Sequence, residues 1–368
     1  MIPQPAKLSF RSNLPDHVMS TINLNGIEVT GNYGDVAREH QALWESAGVL
    51  DLTFRSRLCL TGADRVRFLH GQVTNDIRSL HVGEGCYAAL ITAKGKMQSD
   101  LNIYCLPEEL LLDFEPGLTA TVSERLEKYV IADDAQIIDV APNYGLLSVQ
   151  GPKSEPVILG LGIGGELPAK PFGFVRKAET AFGEIHVINQ PRLGTTGYDI
   201  LVATDTLEKI KKELTASAIS AGGGPCGWEA SEIARIEAGI PRYGADMDET
   251  INPLEAGLET RAISFNKGCY IGQEVISRIR TYSDVQKALR GLRLADELKN
   301  LPMKGDKLFH NGKEAGFITS ATKSPTLNAN IALGYVKRDV NQIGTELILR
   351  SADGESRARV VEVPFLKN

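Results

Sequence analysis

The sequence predicts an α+β protein in three parts, and three observations support this prediction. The chain has 368 residues, which is too long for one compact core and indicates two or three domains. Strand and helix patterns alternate in two successive stretches, residues 56–130 and 144–239, with the β-α-β-β-α-β rhythm of ferredoxin-like units. From residue 287 onward, short strand patterns separated by Gly, Pro and Asn turns predict a small β-barrel.

The elements of the first stretch follow from hydrophobic periodicity and turn residues. Residues 1–30 are polar and contain proline, so we expect a partly irregular segment there. Asp64 should cap the second helix, because a short side-chain acceptor suits the free N–H groups of a helix start. The predicted helices cover residues 35–46, 65–71 and 118–130, and the predicted strands cover residues 56–62, 85–92, 101–106 and 110–114.

The second stretch and the barrel are assigned in the same way. Gly239 and Pro241 follow the last predicted helix and provide the punctuation expected after a helix end. In the second stretch, strands are predicted near residues 146–150, 184–189 and 198–203, and helices near residues 153–159, 206–220 and 228–238. The predicted barrel strands are residues 288–294, 314–321, 331–336 and 345–349.

Composition narrows the classes of function. A net charge of -6 and a pI of about 5.7 argue against broad nucleic-acid binding, which needs a basic face. No apolar run reaches the roughly 18 residues that span a bilayer, so no membrane partner is expected. The five cysteines are scattered without a CxxC pair, so no metal site is predicted. Such free thiols suit a reducing compartment, the cytoplasm or, in a eukaryote, the mitochondrial matrix.

Residues 160–165 match the glycine spacing of dinucleotide-binding loops. Such a site needs a strand before the loop and a helix after it. Here a helix pattern precedes the glycines and Pro168 follows them. We therefore interpret this segment as a flexible loop, and no dinucleotide site is predicted.

The most informative segment covers residues 263–274. A strand-like run meets a glycine turn, then Cys269, then a helix-compatible run to Arg278. A cysteine at a helix N-terminus feels the positive end of the helix dipole, and Lys267 adds a nearby cation. Both effects favour the thiolate, so the pattern predicts a reactive Cys269. The alternative is a buried small hydrophobe in a turn, which is the usual fate of a free cysteine.

This segment resembles the signature of the YgfZ group of folate-binding proteins, relatives of the glycine-cleavage T-protein. The matching residues are Lys267, Gly268, Cys269, Tyr270, Ile271, Gly272, Gln273 and Glu274. Four further segments resemble the superfamily and fall in the same order along the chain. They are residues 60–76, 235–241, 246–255 and 319–327.

The resemblance implies a three-part cloverleaf of two ferredoxin-like units and a C-terminal β-barrel around a folate cavity. Residues 1–50 and 141–285 would form a split unit that carries the cysteine motif. Residues 51–140 would form an inserted unit with Asp100, and residues 286–368 would form the barrel.

The resemblance also implies the residues of a folate site. Asp100 takes the position of the T-protein's key aspartate, which faces the folate near N10, and is a candidate catalytic residue beside Cys269. Tyr87 matches a tyrosine that lines the folate pocket, and its ring suits a flat pterin or benzoyl group. Arg235 would neutralise the folate's glutamate tail or pair with a protein carboxylate. Tyr198 is included among the candidate folate contacts.

Two positions depart from the T-protein pattern. Thr195 stands where the T-protein has a glutamate that grips the pterin, and Ser231 stands where it has an arginine. Both departures argue against glycine-cleavage chemistry, although neither argues against folate binding.

Three functions follow from the resemblance. The first is a protein that binds tetrahydrofolate or a one-carbon derivative and supports iron–sulfur cluster assembly or repair. Its partners would be iron–sulfur client or assembly proteins, and Cys269 would be a nucleophile or transient ligand, because a cluster needs several cysteines. The second is an aminomethyltransferase of the glycine cleavage system. The third is a catalytically inert folate-binding scaffold.

Overall fold

The computed structural model describes residues 19–282 and 285–366. Their strands form one hairpin, one six-stranded sheet, one five-stranded sheet and one closed barrel, and helices accompany the two sheets. The predicted α+β class with a C-terminal barrel is confirmed. The predicted boundaries between the three units stay a prediction. No helix in the described ranges is long and apolar enough to cross a membrane.

The segment before the first predicted helix is more regular than expected. Strands Ser20–Leu24 and Ile27–Asn32 form an antiparallel hairpin. Asn25 and Gly26 connect them with φ angles of 52° and 86°, and Asn-Gly is the pair that favours such a tight turn. The prediction of irregular structure is therefore wrong for these residues, and residues 1–18 lie outside the described part of the chain.

The five-stranded sheet carries helices Arg65–Gln72 and Thr119–Glu127. Asp64 precedes the first of these helices, but its carboxylate accepts a hydrogen bond from the backbone N–H of Asp134 at 2.9 Å. The predicted capping bond to the helix is therefore wrong. In spatial order the strands are Gly85–Ile91, Met97–Cys105, Leu110–Phe114, Ser56–Thr61 and Gln136–Asp139.

The six-stranded sheet packs helices on both faces. One face buries helices Ser154–Leu159 and Leu207–Ser220. The other face shares an apolar cluster with helices Val36–Glu45 and Trp228–Glu237 and with side chains of the five-stranded sheet. In spatial order the strands are Phe174–Thr180, Gly183–Asn189, Gly197–Ala203, Tyr144–Gln150, Gly48–Asp51 and Gly224–Pro225. Residues 160–165 form a loop, as interpreted from the sequence.

The C-terminal barrel closes on itself and contacts the helix Trp228–Glu237. The backbone N–H of Phe365 donates to the carbonyl of Glu237, and Ser324 donates to the Glu237 carboxylate. Two short helices, Glu259–Ala262 and Gln273–Tyr282, precede the barrel. In spatial order its strands are Lys287–Leu294, Ala329–Lys337, Lys313–Ser324, Lys307–His310, Glu346–Ser351 and Gly354–Val361.

Candidate functional site

A cavity of about 310 Å³ lies between the five-stranded sheet, the six-stranded sheet and the helix Trp228–Glu237. Its volume falls at the lower end of the roughly 300–1,000 Å³ typical of small-molecule sites. Both apolar and charged side chains line it. They include Leu50, Tyr87, Asp100, Glu115, Phe172, Arg192, Trp228, Ser231, Glu232, Arg235, Arg242 and Arg261.

Tyr87 and Asp100 form a hydrogen-bonded pair in this cavity. They lie on neighbouring antiparallel strands, and Tyr87 pairs with Asn102, two residues beyond Asp100, so both side chains share one face. The Tyr87 hydroxyl donates to Asp100 Oδ2 at 2.7 Å. Burial, followed by the charge of Glu115, raises the pKa of Asp100 to about 6. The site thus holds a carboxylate that changes protonation near neutral pH.

A network of ion pairs supports the cavity wall. Arg55 donates to Asp113 at 2.8 Å and to Glu115 at 2.6 Å. Arg192 donates to Asp113 at 2.8 Å and to Asp199 at 2.6 Å. Burial opposes ionisation of Asp113, but the two arginines hold the pKa of this carboxyl well below its usual range. Sequence reasoning missed this network, because its members lie on strands and loops that are far apart in the sequence.

Arg235 is committed to protein partners. Its guanidinium donates to Glu232 at 2.9 Å, to Asp246 at 2.6 Å and to Ser320 of the barrel at 2.8 Å. Arg235 and Arg242 outweigh the burial of Glu232 and lower the pKa of that carboxyl to about 2. Of the two roles considered for Arg235, the geometry favours the pairing role over binding of a folate tail.

Arg261 is a cavity residue that sequence reasoning did not select. It belongs to the short helix Glu259–Ala262, and its side chain is exposed. Its guanidinium carbon lies 5.5 Å from the centre of the Tyr87 ring, a cation–π contact. The neighbouring sequence carries no periodic or motif signal that would have drawn attention to it.

Tyr198 does not line the cavity, and its selection as a folate contact stays a prediction that the cavity geometry does not support. Its side chain lies in the apolar cluster beneath the six-stranded sheet, on the face covered by helices Ser154–Leu159 and Leu207–Ser220. The strand Gly197–Ala203 is buried on both faces. Its sequence therefore shows no alternation of apolar and polar residues that would have told the cavity face from the opposite face.

The two departures from the T-protein pattern lie in different settings. Ser231 lines the cavity, and its hydroxyl donates to the carbonyl of Trp228 at 2.8 Å. Thr195 is half-buried, and its hydroxyl has no hydrogen-bond partner among the described residues.

The cysteine motif forms a surface loop, residues 267–272, which we call the Cys269 loop. Lys267 is buried, and its ammonium donates to the carbonyls of His70 and Val73 at 2.6 Å and of Asn75 at 2.9 Å. The loop is therefore fixed to the end of the helix Arg65–Gln72 and to the segment that follows it, and the Lys267 ammonium points at backbone carbonyls.

The helix of the motif begins later than expected. It covers Gln273–Tyr282, so Cys269 lies four residues before it and not at its first turn. Gly272 separates them with a φ of 84°, and a Cβ there would lie 2.5 Å from the carbonyl oxygen of Thr92. Glu274 lies in the first turn of the helix and is exposed.

Cys269 is exposed, and it does not line the cavity. Tyr270 beside it is buried, with Lys267 over its ring at 4.8 Å. Burial raises the pKa of each other cysteine thiol, to about 12 for Cys86. Among the described residues, no group of three His, Cys, Asp or Glu side chains is placed to hold a metal ion.

Comparisons with known proteins agree with this architecture. The family described as GCVT N-terminal domain matches residues 16–267, and the Glycine cleavage T-protein C-terminal barrel domain matches residues 287–367. The chain belongs to the glycine cleavage T-protein family. An aminomethyltransferase of Bacillus subtilis is 29% identical over 347 residues, which cover 94% of this chain and 95% of the relative. One from Geobacillus thermodenitrificans is 31% identical over 351 residues, 94% of each chain.

A solved structure of this family shows the same fold. The glycine cleavage system aminomethyltransferase T from Bartonella henselae superposes with a TM-score of 0.85 at 21% sequence identity. The match covers 95% of this chain and 94% of the solved one. The T-protein superfamily inferred from the sequence is therefore confirmed. The relatives' names agree with the second function considered from the sequence better than with the first.

Proposed function

We propose that this T-protein family member binds a reduced folate in the central cavity and transfers a one-carbon unit as an aminomethyltransferase does. The observation that carries the proposal is the Tyr87–Asp100 pair, two half-buried polar groups that are hydrogen-bonded to each other in the cavity. Relatives of nearly the same length are named aminomethyltransferase, which supports this reaction class.

The cavity residues suit a reduced folate. Tyr87, Phe172 and Trp228 offer aromatic surfaces for a flat pterin or benzoyl group. Asp100 offers a carboxylate that can accept a hydrogen bond from an amine. The folate would supply that amine as the acceptor of the one-carbon unit.

Asp100 would orient this amine and receive a proton from it. Because its pKa is raised to about 6, most molecules carry the ionised, proton-accepting form at pH 7, and the protonated form remains accessible. The Tyr87 hydroxyl fixes one carboxylate oxygen, so the other would be left to accept a hydrogen bond from the ligand. Positioning of this kind accelerates transfer by reducing the search for a reactive geometry.

Two measurements test this proposal. Calorimetric titration with tetrahydrofolate should show saturable binding, and Asp100→Asn should keep binding while it lowers transfer by about 100-fold or more. Transfer is measured as the tetrahydrofolate-dependent formation of methylenetetrahydrofolate and ammonia from an aminomethylated lipoyl carrier. No binding at millimolar tetrahydrofolate rejects the folate site. Binding without formation of methylenetetrahydrofolate rejects aminomethyl transfer and leaves a folate-binding scaffold.

A second candidate function follows from a separate observation. Cys269 is exposed, whereas the other four cysteines are buried or half-buried. We propose, as the alternative, that this thiol serves a YgfZ-type role in the assembly or repair of iron–sulfur enzymes, with those enzymes as partners. Its motif resembles the YgfZ signature, and its exposure would let a partner reach it.

A rescue experiment distinguishes this role. In a strain that lacks its own YgfZ protein, the wild-type chain should restore iron–sulfur enzyme activity, and Cys269→Ser should not. The control is Cys86→Ser, which changes a half-buried thiol outside the motif. Equal rescue by Cys269→Ser and wild type would reject the role.

A further inference from the structure

Arg261 differs from the other arginines of the cavity. Each of those is engaged by two carboxylates. Arg55 pairs with Asp113 and Glu115, Arg192 with Asp113 and Asp199, Arg235 with Glu232 and Asp246, and Arg242 with Glu115 and Glu232. Arg261 has no ion pair and no side-chain hydrogen bond within residues 19–282 and 285–366, and its guanidinium lies over the Tyr87 ring.

The Tyr87 ring connects Arg261 to the candidate reaction centre. The hydroxyl end of this ring bonds Asp100 at 2.7 Å, and the Arg261 guanidinium lies over the ring at 5.5 Å. The Tyr87 side chain thus has Asp100 at its hydroxyl and Arg261 at its ring. Reduced folates have a matching layout, because one benzoyl ring separates the reactive N10 amine from the glutamate and its carboxylates.

We infer that Arg261 binds a carboxylate of the folate's glutamate, an inference that rests on the proposed folate site. A planar guanidinium donates two parallel hydrogen bonds to a carboxylate, so it favours that group over a neutral amide. The exposure of Arg261 places it at the open side of the cavity, where a charged tail stays hydrated. Asp100 therefore holds one end of the benzoyl group and Arg261 the other.

Arg235, the arginine that the sequence suggested for this role, is poorly suited to it. Its guanidinium donates to Glu232, Asp246, Ser320 and the carbonyl of Ile240. A ligand carboxylate would have to displace one of these buried partners and leave it without its donor. Arg261 can accept a carboxylate without breaking any bond.

The test compares two ligands that differ only in charge at the tail. One is tetrahydrofolate, and the other is its diamide, in which both glutamate carboxyl groups are primary amides. Titration calorimetry measures the ratio of their affinities for wild type, Arg261→Gln, Arg261→Lys and Arg280→Gln. Arg280 is the matched control, because it is an exposed arginine that stacks on Phe265 at 3.7 Å outside the cavity.

Wild type and Arg280→Gln should prefer tetrahydrofolate by about tenfold, as expected for one partly exposed charged pair. Arg261→Gln should bind both ligands alike, with the affinity that wild type has for the diamide, and Arg261→Lys should keep part of the preference. If wild type binds the two ligands equally, or if Arg261→Gln keeps the tenfold ratio, the role of Arg261 is rejected while the folate site stands. If wild type binds neither ligand, the folate site and this inference both fail.

Discussion

The cavity wall and the Cys269 loop both bury positive charge, but they neutralise it differently. In the wall, Asp113 is shared by Arg55 and Arg192, and each of these arginines reaches a second carboxylate. In the loop, the Lys267 ammonium is bonded to three backbone carbonyls. The wall is held by a network of ion pairs that share partners, whereas the loop is held by the hydrogen bonds of one side chain.

This difference predicts different consequences of substitution. Loss of a shared carboxylate leaves several buried charges poorly balanced and should lower the stability of the whole fold. Loss of the lysine should release mainly the Cys269 loop. The wall thus supplies a rigid cavity, and the loop supplies an exposed thiol on a fixed but independent support.

The largest expected effect is that of Asp113→Ala in the wall. It removes the partner shared by Arg55 and Arg192, so we expect a loss of about 3–5 kcal/mol in the free energy of unfolding. Urea denaturation measures the free energy of unfolding of the variant and of wild type. Glu355→Ala, which removes a partner from the exposed Arg350, serves as the control and should have little effect. A loss below about 1 kcal/mol for Asp113→Ala would show that the remaining carboxylates compensate, contrary to the network view.

Lys267→Met should have the next largest effect and should act locally. Methionine fills the space of the lysine stem but leaves two buried carbonyls and one half-buried carbonyl without their donor, at a cost of about 2–3 kcal/mol. Hydrogen exchange should accelerate in residues 70–75 and 267–272 and remain slow in the strands of the cavity. Uniform acceleration across the molecule would contradict the independence of the loop. Lys304→Met, an exposed lysine beside Asp248, is the control.

Asp100→Asn should change how stability depends on pH. Burial raises the pKa of Asp100 to about 6, whereas an unfolded aspartate titrates near pH 4, so the folded protein retains a proton longer as the pH rises. Wild-type stability should therefore fall between about pH 4 and pH 6. The neutral asparagine avoids this loss, so the variant should exceed wild type by on the order of 2–3 kcal/mol above pH 7 and match it at pH 4.

Thermal or urea unfolding at several pH values measures this difference. Asp306→Asn, which substitutes another carboxylate of the chain outside the cavity, is the comparison. A difference between Asp100→Asn and wild type that stays constant from pH 4 to pH 8 would contradict a raised pKa of Asp100 in the folded protein.

The smallest effect on stability is expected for Cys269→Ser. The thiol is exposed, so the free energy of unfolding should change by less than about 0.5 kcal/mol.

The same exposure should make Cys269 the first cysteine that iodoacetamide alkylates at neutral pH, since burial raises the pKa of the other four thiols. Mass spectrometry of the labelled peptides measures the order, and earlier labelling of Cys86 would contradict it.

Much of the fold could be predicted from the sequence, because helix and strand periodicity and turn residues act locally. Helix Trp228–Glu237 and strand Leu110–Phe114 agree with prediction to within one residue. The N-terminal hairpin was missed although its Asn25-Gly26 turn is a recognised local signal. The late start of the helix Gln273–Tyr282 was not predictable, because it depends on the close approach of Gly272 to Thr92 in the folded chain.

The site was less accessible to sequence reasoning than the fold. Tyr87 and Asp100 were selected through the resemblance, and the structure places them 2.7 Å apart, although their roles stay predictions. Arg261 and Arg235 look equally charged in the sequence. Arg235 is buried and bonded to Glu232 of its own helix and to the distant Asp246, whereas Arg261 is exposed. The burial and the bond to Asp246 depend on tertiary structure.

The bond between Arg235 and Ser320 bears on attempts to shorten the chain. The two family matches end and begin at residues 267 and 287, which invites expression of the first part alone. Yet Ser320 and Thr319 of the barrel donate to Asp246, and Ser324 donates to Glu237. A fragment that stopped before the barrel would lose the hydroxyl groups that donate hydrogen bonds to these buried carboxylates. Such a fragment should be recovered in folded form only when the barrel is co-expressed as a second polypeptide that restores them.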